Sequence, residues 1–356
     1  MKNEITKLRK EIDAFDTKII SLLNQRAKRT MRIANLKEGL NLPIYDPARE
    51  QLLLKNLKRL NQGPLSNHDI ESIMTTVLHI YRNLVRQLKI AYFGPEGTFT
   101  HLAALENFGD KAEYLPTKNI EGVFHLVEKE KADFGVVPVE NSLEGVVTHT
   151  LDMFSKSELT IIAEAVLDVH HYLVSKEKNS KNITTIFSHP QPLAQCKNYL
   201  RERFPNISIV ETDSTSAAAI KVKKTPHTAA ITSLMAAKLY QLTILDEKIE
   251  DSVFNATRFL IIGKSIPAPT GNDKTSVLFS IKDKVGALHE LLVPFMRRGI
   301  NLTKIESRPS KTTPWKYLFF LDFEGYYTDT AVKEALDELA QLTLHMKILG
   351  SYPRGE

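Results

Sequence analysis

The run VVPVENSLEGVV, Val136 to Val147, carries an apolar strand through Pro138 and ends it on Glu140, Asn141 and Ser142. A carboxylate, an amide and a hydroxyl therefore stand side by side where a buried strand stops. Further on, NATRFLII places Thr257 and Arg258 at the head of another apolar run. Such groups at a strand end can hold an anion through neutral donors and help move a proton. A second constellation is cationic. Ile5, Leu8, Ile12, Phe15, Ile19 and Leu22 repeat at spacings of four and three, an apolar stripe on one long helix. Arg26 falls on that stripe, and Lys37 lies about three turns further along it. Arg9 points roughly a quarter-turn away. A cation on a core-facing seam costs several kcal/mol unless an anion meets it. A dimeric coiled coil with Arg26 paired or snorkelling would satisfy it, and so would a pocket for a small anion. A nucleic-acid helix fits less well, because the cations are interleaved with core residues and no reading motif is present.

Other polar residues have plainer readings beside the functional one. Thr98, Ser188 and Ser214 sit at strand-to-helix junctions, where such residues cap helices. Capped helix starts also attract anions. Asp46 precedes Pro47 as an ordinary cap would. Gly94 and Gly97 make a turn or admit a ligand close to the backbone. Cys196 reads as a small buried hydrophobe, and His170, His171 and His189 read as structural.

The 356 residues imply two or three domains, and 42% hydrophobic with 25% charged content supplies ordinary cores. One cysteine excludes an intrachain disulfide and a thiolate zinc cluster. The N-terminus lacks the apolar core of a secretory signal, and no apolar run reaches the roughly 18 residues of a membrane span. A soluble protein of the cytoplasm is expected. Residues 1–90 carry a net charge of +8 and the rest −3. The basic first segment calls for an anionic partner, whether nucleic acid, lipid or a small dianion.

Three segments must position these residues. Residues 1–88 read as all helical: a long helix ended by Gly39 and Pro43, a second begun at Asp46–Pro47, and a third from Ser66 to about Leu88. These helices cannot enclose a core alone, so pairing with a second copy is expected. Residues 89–268 alternate short buried strands (KIAYF, ADFGVVPV, ITTIFS, ISIVET, TAAI, RFLII) with helices, an α/β pattern with largely parallel sheet, in one sheet or two lobes. SIPAPTGND is a linker. Residues 274–356 read strand, helix, strand, strand, helix, strand, the ferredoxin-like order.

LRKEIDAFDTKIISLLNQR, followed by Lys37 and DPARE, resembles the all-helical chorismate mutase family over nearly the whole first segment. The resemblance implies that Arg26, Lys37, Asp46, Arg49 and Glu50 line a pocket within the helices, and that Arg9 enters from a partner subunit. Chorismate, a dianion, would rearrange to prephenate in one concerted step. Arg9 and Arg26 would clamp its carboxylates, Lys37 would donate to the ether oxygen, and Glu50 and Asp46 would orient the ring hydroxyl. One departure stands out. The family usually carries Gln or Glu on the last helix as a second donor to that oxygen, and the place falls on Tyr81, with Val77 a turn earlier. A missing donor costs about 2.7–4 kcal/mol of transition-state stabilisation. The mutase is therefore expected to be weak unless the Tyr81 hydroxyl replaces the amide.

GPEGTFTH, VVPVENSLEG, SHPQPLAQC, DSTSAAA and NATRFLII, in that order, resemble prephenate dehydratase across the middle segment. That family has two α/β lobes like type II solute-binding proteins, with the site in the cleft. By the resemblance Thr257, with Asn141 and Glu140, forms the catalytic group, Thr257 hydrogen bonding the leaving hydroxyl. Thr98, Ser142, Ser188, Gln195, Ser214 and Thr215 would fix prephenate. Arg258 would clamp a carboxylate, or equally brace the domain; Glu140 would be an acid or a structural acceptor. Aromatisation drives the step, so neither metal nor organic cofactor is expected.

GALH (Gly286, Ala287, Leu288) and ESRP (Glu306, Ser307, Arg308, Pro309) resemble the ACT domain, an amino-acid-binding module. They imply phenylalanine as effector, bound between ACT domains of two subunits, with coupling of about 1–3 kcal/mol. Together the three resemblances imply a multidomain homodimer or higher homo-oligomer making phenylpyruvate from chorismate, with no nucleic-acid or membrane partner. The alternatives are a dehydratase with a degenerate mutase domain and a non-catalytic amino-acid-responsive binding protein. A pure sensor would have no need of Thr257.

Overall fold

The computed structural model describes residues 1–40, 42–252, 254–281, 284–309 and 317–355. Three helices open the chain: α1 (Lys2–Gly39), α2 (Pro47–Leu60) and α3 (Asn67–Val85). The local signals act as expected. The Asp46 carboxylate accepts the Arg49 amide at 3.0 Å and Pro47 begins α2. Ser66 and Asp69 form a reciprocal capping box on α3. The stripe residues Ile5, Leu8, Ile12, Phe15, Ile19 and Leu22 are each more than half exposed. These helices do not close a core within one chain.

The middle segment forms two lobes. The first contains β1 (Lys89–Phe93), α4 (Phe99–Phe108), β2 (Glu113–Thr117), α5 (Ile120–Glu128), β3 (Phe134–Asn141), β4 (Gly145–Val146), α6 (Thr148–Phe154) and β5 (Thr160–Asp168). The second contains β6 (Tyr172–Ser175), β7 (Thr185–Ser188), α7 (Pro190–Gln195), α8 (Lys197–Arg203), β8 (Ser208–Glu211), α9 (Thr215–Lys224), β9 (Thr228–Thr232), α10 (Leu234–Tyr240) and β10 (Thr243–Asp246). The chain then returns to the first lobe as β11 (Ala256–Gly263). The strand orders are β2-β1-β3-β11-β5 and β10-β6-β9-β7-β8.

The expectation of largely parallel sheets needs correction. β1 is parallel to β2 and β3, and β7 to β8 and β9, but β11 is antiparallel to β3 and β5, and β6 to β9 and β10. A strand that re-enters a sheet after visiting the other lobe arrives from the opposite end. β2, β4, β5, β6 and β10 are not among the expected strands. Pro116 in β2 and Glu164 in β5 interrupt their apolar character.

The last segment has the ferredoxin-like order: β12 (Asp273–Ile281), α11 (Ala287–Arg297), β13 (Leu302–Pro309), β14 (Tyr317–Glu324), α12 (Thr330–Leu342) and β15 (Thr343–Pro353). Lys316, taken as the start of its third strand, lies outside the described residues. One face of this sheet packs under α11 and α12 through Phe279, Leu291, Phe295 and Phe323. The other contributes Leu278, Phe320 and Tyr352 to the core containing Leu260, Ile262 and Phe154 of the first lobe. The small domain is thus seated directly on the lobe that carries Asn141 and Thr257. No helix among the described residues is long and apolar enough to cross a membrane.

Candidate active sites

A cavity of about 350 Å³ lies between α1, α2 and α3 and brings together Arg26, Lys37, Asp46, Arg49 and Glu50. Arg9 is not among them. It lies seventeen residues before Arg26 on one continuous helix, about 25 Å along the axis. Only a second chain could bring an Arg9 here. Lys37 Nζ donates to the Pro43 carbonyl at 2.9 Å while lining the cavity. Burial pushes the Glu50 carboxyl above its usual range, opposed by Arg82, whose Nε is 3.3 Å away.

Tyr81 does not offer the replacement donor. Its hydroxyl donates to the Leu23 carbonyl at 2.6 Å, and its ring lies beneath the Arg26 guanidinium at 4.9 Å. Val85, one turn on, also lines the cavity and has nothing to donate. Arg82 escaped the sequence reading. It is buried against the cavity, donates to the Asn107 carbonyl at 3.0 Å and stacks on Tyr45 at 4.7 Å. Its signal was the one that marks Arg26: a cation on a core-facing helical stripe, four residues after Leu78.

In the lobed domain a chain of hydrogen bonds crosses from one lobe to the other. The Asn141 amide reaches Thr257 Oγ1 and Asn255 Oδ1, both at 2.9 Å. The Asn255 amide donates to Gln195 Oε1 at 3.0 Å, which also faces His171 Nε2 at 2.7 Å. The Gln195 amide returns to Glu144 at 3.2 Å. Asn141 is itself fixed, since its Oδ1 accepts the Leu143 and Glu144 amides at 3.0 Å. Thr257 accepts from Asn141, and its own hydroxyl proton is donated to no group among the described residues.

Burial lowers the His171 pKa below the usual imidazole value. The neutral ring therefore donates from Nε2 to Gln195, leaving Nδ1 buried without a partner among the described residues. Asn255, Glu144 and His171 were missed as network members. Asn255 stood inside the NATRF run, but nothing local in the sequence joins it to Gln195.

Several hydroxyls do caps or braces. Thr98 accepts the His101 amide at 3.3 Å and Ser214 the Ala217 amide at 3.0 Å, so each opens a helix. Thr215 is the first residue of α9. Ser142 accepts the Ala256 amide at 3.0 Å, tying the end of β3 to β11. Ser188 is a correction. It is fully buried and donates across the sheet to Ile231 at 2.8 Å, while His189 caps α7. Gly97 has φ +83, and a Cβ there would come within 3.3 Å of Ala236 in the second lobe. Its missing side chain admits the other lobe.

Glu140 and Arg258 also need correction as substrate-facing groups. Arg258 donates to Glu164 at 2.7 Å, to Asp322 at 2.6 Å and to the Tyr352 hydroxyl at 3.0 Å. With two protein carboxylates on its guanidinium, it is the brace and not the clamp. Glu140 accepts Lys304 of the small domain at 2.6 Å. In that domain Gly286 has φ +80 and opens α11, with Ala287 buried and Leu288 exposed. Glu306, Ser307, Arg308 and Pro309 end β13, which is an edge strand. Arg308 also reaches Asp152 of the first lobe at 3.4 Å.

Comparison with known proteins agrees with this organisation. The chorismate mutase type II family matches residues 8–86, prephenate dehydratase residues 90–267 and the ACT domain residues 275–341. A bifunctional chorismate mutase/prephenate dehydratase of Aquifex aeolicus is 44% identical over 355 residues, covering 99% of this chain and 98% of its own. One of Pseudomonas aeruginosa is 44% identical over 358 residues with the same coverage. The crystal structure of prephenate dehydratase from Arthrobacter aurescens in complex with L-Phe is 36% identical, with a TM-score of 0.69 over 75% of this chain and 90% of that one. With all three domains matched in order and near-complete coverage, this chain belongs to the family of bifunctional chorismate mutase/prephenate dehydratases.

Proposed function

We propose that the helical cavity converts chorismate to prephenate, that the cleft converts prephenate to phenylpyruvate, and that phenylalanine acts back through the ACT domain. The observation that carries the dehydratase assignment is the Asn141–Thr257 hydrogen bond, which leaves the threonine proton without an acceptor among the described residues. Prephenate loses its ring carboxylate as carbon dioxide. The released electron pair enters the ring and expels the hydroxyl at the opposite carbon, which leaves as water after gaining a proton. Thr257 hydrogen bonds that departing oxygen. A threonine is too weak an acid to be the proton's source, so it positions or relays a proton. Asn141 holds it, and Gln195 and Asn255 tie both lobes to the same point.

In the mutase, Arg26 with a partner chain's Arg9 would clamp the carboxylates, and Lys37 would stabilise charge growing on the ether oxygen. The exposed stripe of α1 supports pairing with a second copy. Because the Tyr81 hydroxyl is committed to Leu23, the mutase is the weaker activity. Phenylalanine would bind between two ACT domains at Gly286–Leu288 and Glu306–Pro309. The relative crystallised with L-Phe supports that effector. The test supplies chorismate and prephenate separately to purified protein, with and without phenylalanine. Phenylpyruvate should form from both and fall when phenylalanine is added. Untouched prephenate would sink the dehydratase reading, and indifference to millimolar phenylalanine would sink the regulation.

His171 gives the reading a pH signature. Its folded pKa lies below the ordinary value of about 6.5. The neutral form's contribution is therefore present above about pH 6.5 and lost as pH falls through the folded value. Dehydratase turnover should show an acid limb there. His171→Gln keeps a donor to Gln195 without a titrating ring and should flatten that limb in a pH profile of kcat.

A further inference from the structure

Neighbouring residues of a strand face opposite sides of a sheet. Across β3 and β11, Asn141 pairs with Thr257 and Glu140 pairs with Arg258. The first pair is joined on the cleft side. The second faces the ACT domain, where Glu140 meets Lys304 and Arg258 meets Asp322, each at 2.6 Å. Lys304 and Asp322 are themselves cross-strand partners on β13 and β14. Four residues, two adjacent on each sheet, thus form a clasp between the domains.

A β-bulge makes this clasp possible. The register passes from Arg258↔Glu140 to Phe259↔Pro138, leaving Val139 without a partner on β11. Val139 packs in the core shared with Phe320 of the ACT sheet, and Glu140 turns to that same side. Without the extra residue, strict alternation would send Glu140 to the cleft and Asn141 away from it. The clasp is also well anchored. The Lys304 side chain is 9% exposed and that of Asp322 fully buried. Asp322 accepts from Ser276, and Glu164, the second partner of Arg258, is held by Lys274 and the Gly355 amide. Lys304 stands two residues before Glu306 on the same strand.

We propose that Lys304 and Asp322 act through Glu140 and Arg258 as positioning residues for Asn141 and Thr257, and that this clasp transmits the state of the ACT domain to the dehydration step. The proposal rests on the reading of Asn141 and Thr257 as the dehydratase pair. Small displacements of a reacting group suffice for large rate effects, about 100-fold for 1 Å. The clasp touches the backbone one residue from each group that must be placed.

The test compares Lys304→Met with the charge exchange Lys304→Glu/Glu140→Lys, measuring dehydratase kcat and KM, phenylalanine inhibition, and mutase turnover as a control on folding. Lys304→Met should lower kcat about 10- to 100-fold, change KM by less than about threefold, weaken the phenylalanine response and leave mutase turnover intact. The exchanged pair restores the ion pair but sets like charges opposite Arg258 and Asp322, so it should recover only part of the loss. Should Lys304→Met fail to fold, Lys304→Met/Glu140→Met replaces the pair by apolar groups and should show the same loss of kcat. Folded variants with wild-type kcat and phenylalanine response would reduce the clasp to a brace and overturn the proposal. Thr257→Ala separates the two ideas. Clasp variants silent while Thr257→Ala is inactive sink the clasp alone; a fully active Thr257→Ala sinks the dehydratase reading beneath it.

Discussion

Thr257→Ala should lower dehydratase kcat by roughly 100- to 1000-fold while mutase turnover in the same preparation stays unchanged. The size follows from removing one well-placed hydrogen bond to an oxygen that gains negative charge as it leaves. In this structure the threonine hydroxyl is pre-oriented, because Asn141 occupies its acceptor side at 2.9 Å and leaves the proton to point elsewhere. The variant should fold. Asn141 keeps Asn255 and the Ala256 carbonyl as partners, and the β11 pairing with β3 and β5 is made by backbone. Thr257→Ser should return activity to within about tenfold, since it restores the hydroxyl and loses only a methyl that restricts its rotamer. Thr257→Val keeps the shape without the hydroxyl and should resemble Ala. Phenylpyruvate formation from prephenate, followed at saturating substrate, measures all three. Wild-type turnover by the Ala or Val variant would remove Thr257 from the chemistry.

The second large effect concerns the mutase and needs two chains. Arg9→Ala and Arg26→Ala should each abolish most chorismate rearrangement, about 100-fold or more, because each removes a cation from a substrate carboxylate. Mixed after unfolding and refolding together, the two inactive proteins should regain about a quarter of wild-type mutase activity. Half of the random pairs would be mixed, and each would rebuild one intact site of two. Within one chain Arg9 cannot reach that cavity. Arg9 is some 25 Å from Arg26 along a single helix, while the apolar stripe between them lies uncovered. No recovery on mixing would mean that Arg9 serves no site across the pair. Dehydratase activity should be indifferent to both substitutions, which checks that the rest of the chain has folded.

Much of the architecture was legible because its causes are local. The spacing of Ile5 to Leu22 and the stop at Gly39 mark α1, and Asp46–Pro47 and the Ser66–Asp69 box open the next two helices where a cap must be. FTHLAALENF is a helix over its whole length. Of the strands that escaped, β2 carries Pro116 and β5 carries Glu164, residues made tolerable by a sheet edge or a distant cation, while β6 and β10 are only four residues each. Strand direction was misread, because the sequence does not say from which lobe a strand returns.

The sites divide in the same way. Spacing put Arg26 and Lys37 on one stripe, and the family resemblance gathered them with Asp46 and Glu50 as one group and singled out Asn141 and Thr257. Which atoms those side chains spend, and on whom, was decided only by the fold. Tyr81 is a plausible donor until Leu23 takes its proton, Ser188 until Ile231 does, and Arg258 a plausible clamp until Glu164 and Asp322 fill it. In each case the partner lies between 43 and 94 residues away in the chain. The single extra residue at Val139, which sets the side that Glu140 and Asn141 face, leaves no trace in composition or periodicity. Periodicity and caps arise from interactions within a few residues and can be read along the chain. The direction of a hydrogen bond across lobes depends on how distant segments pack, and that is set by the tertiary structure alone.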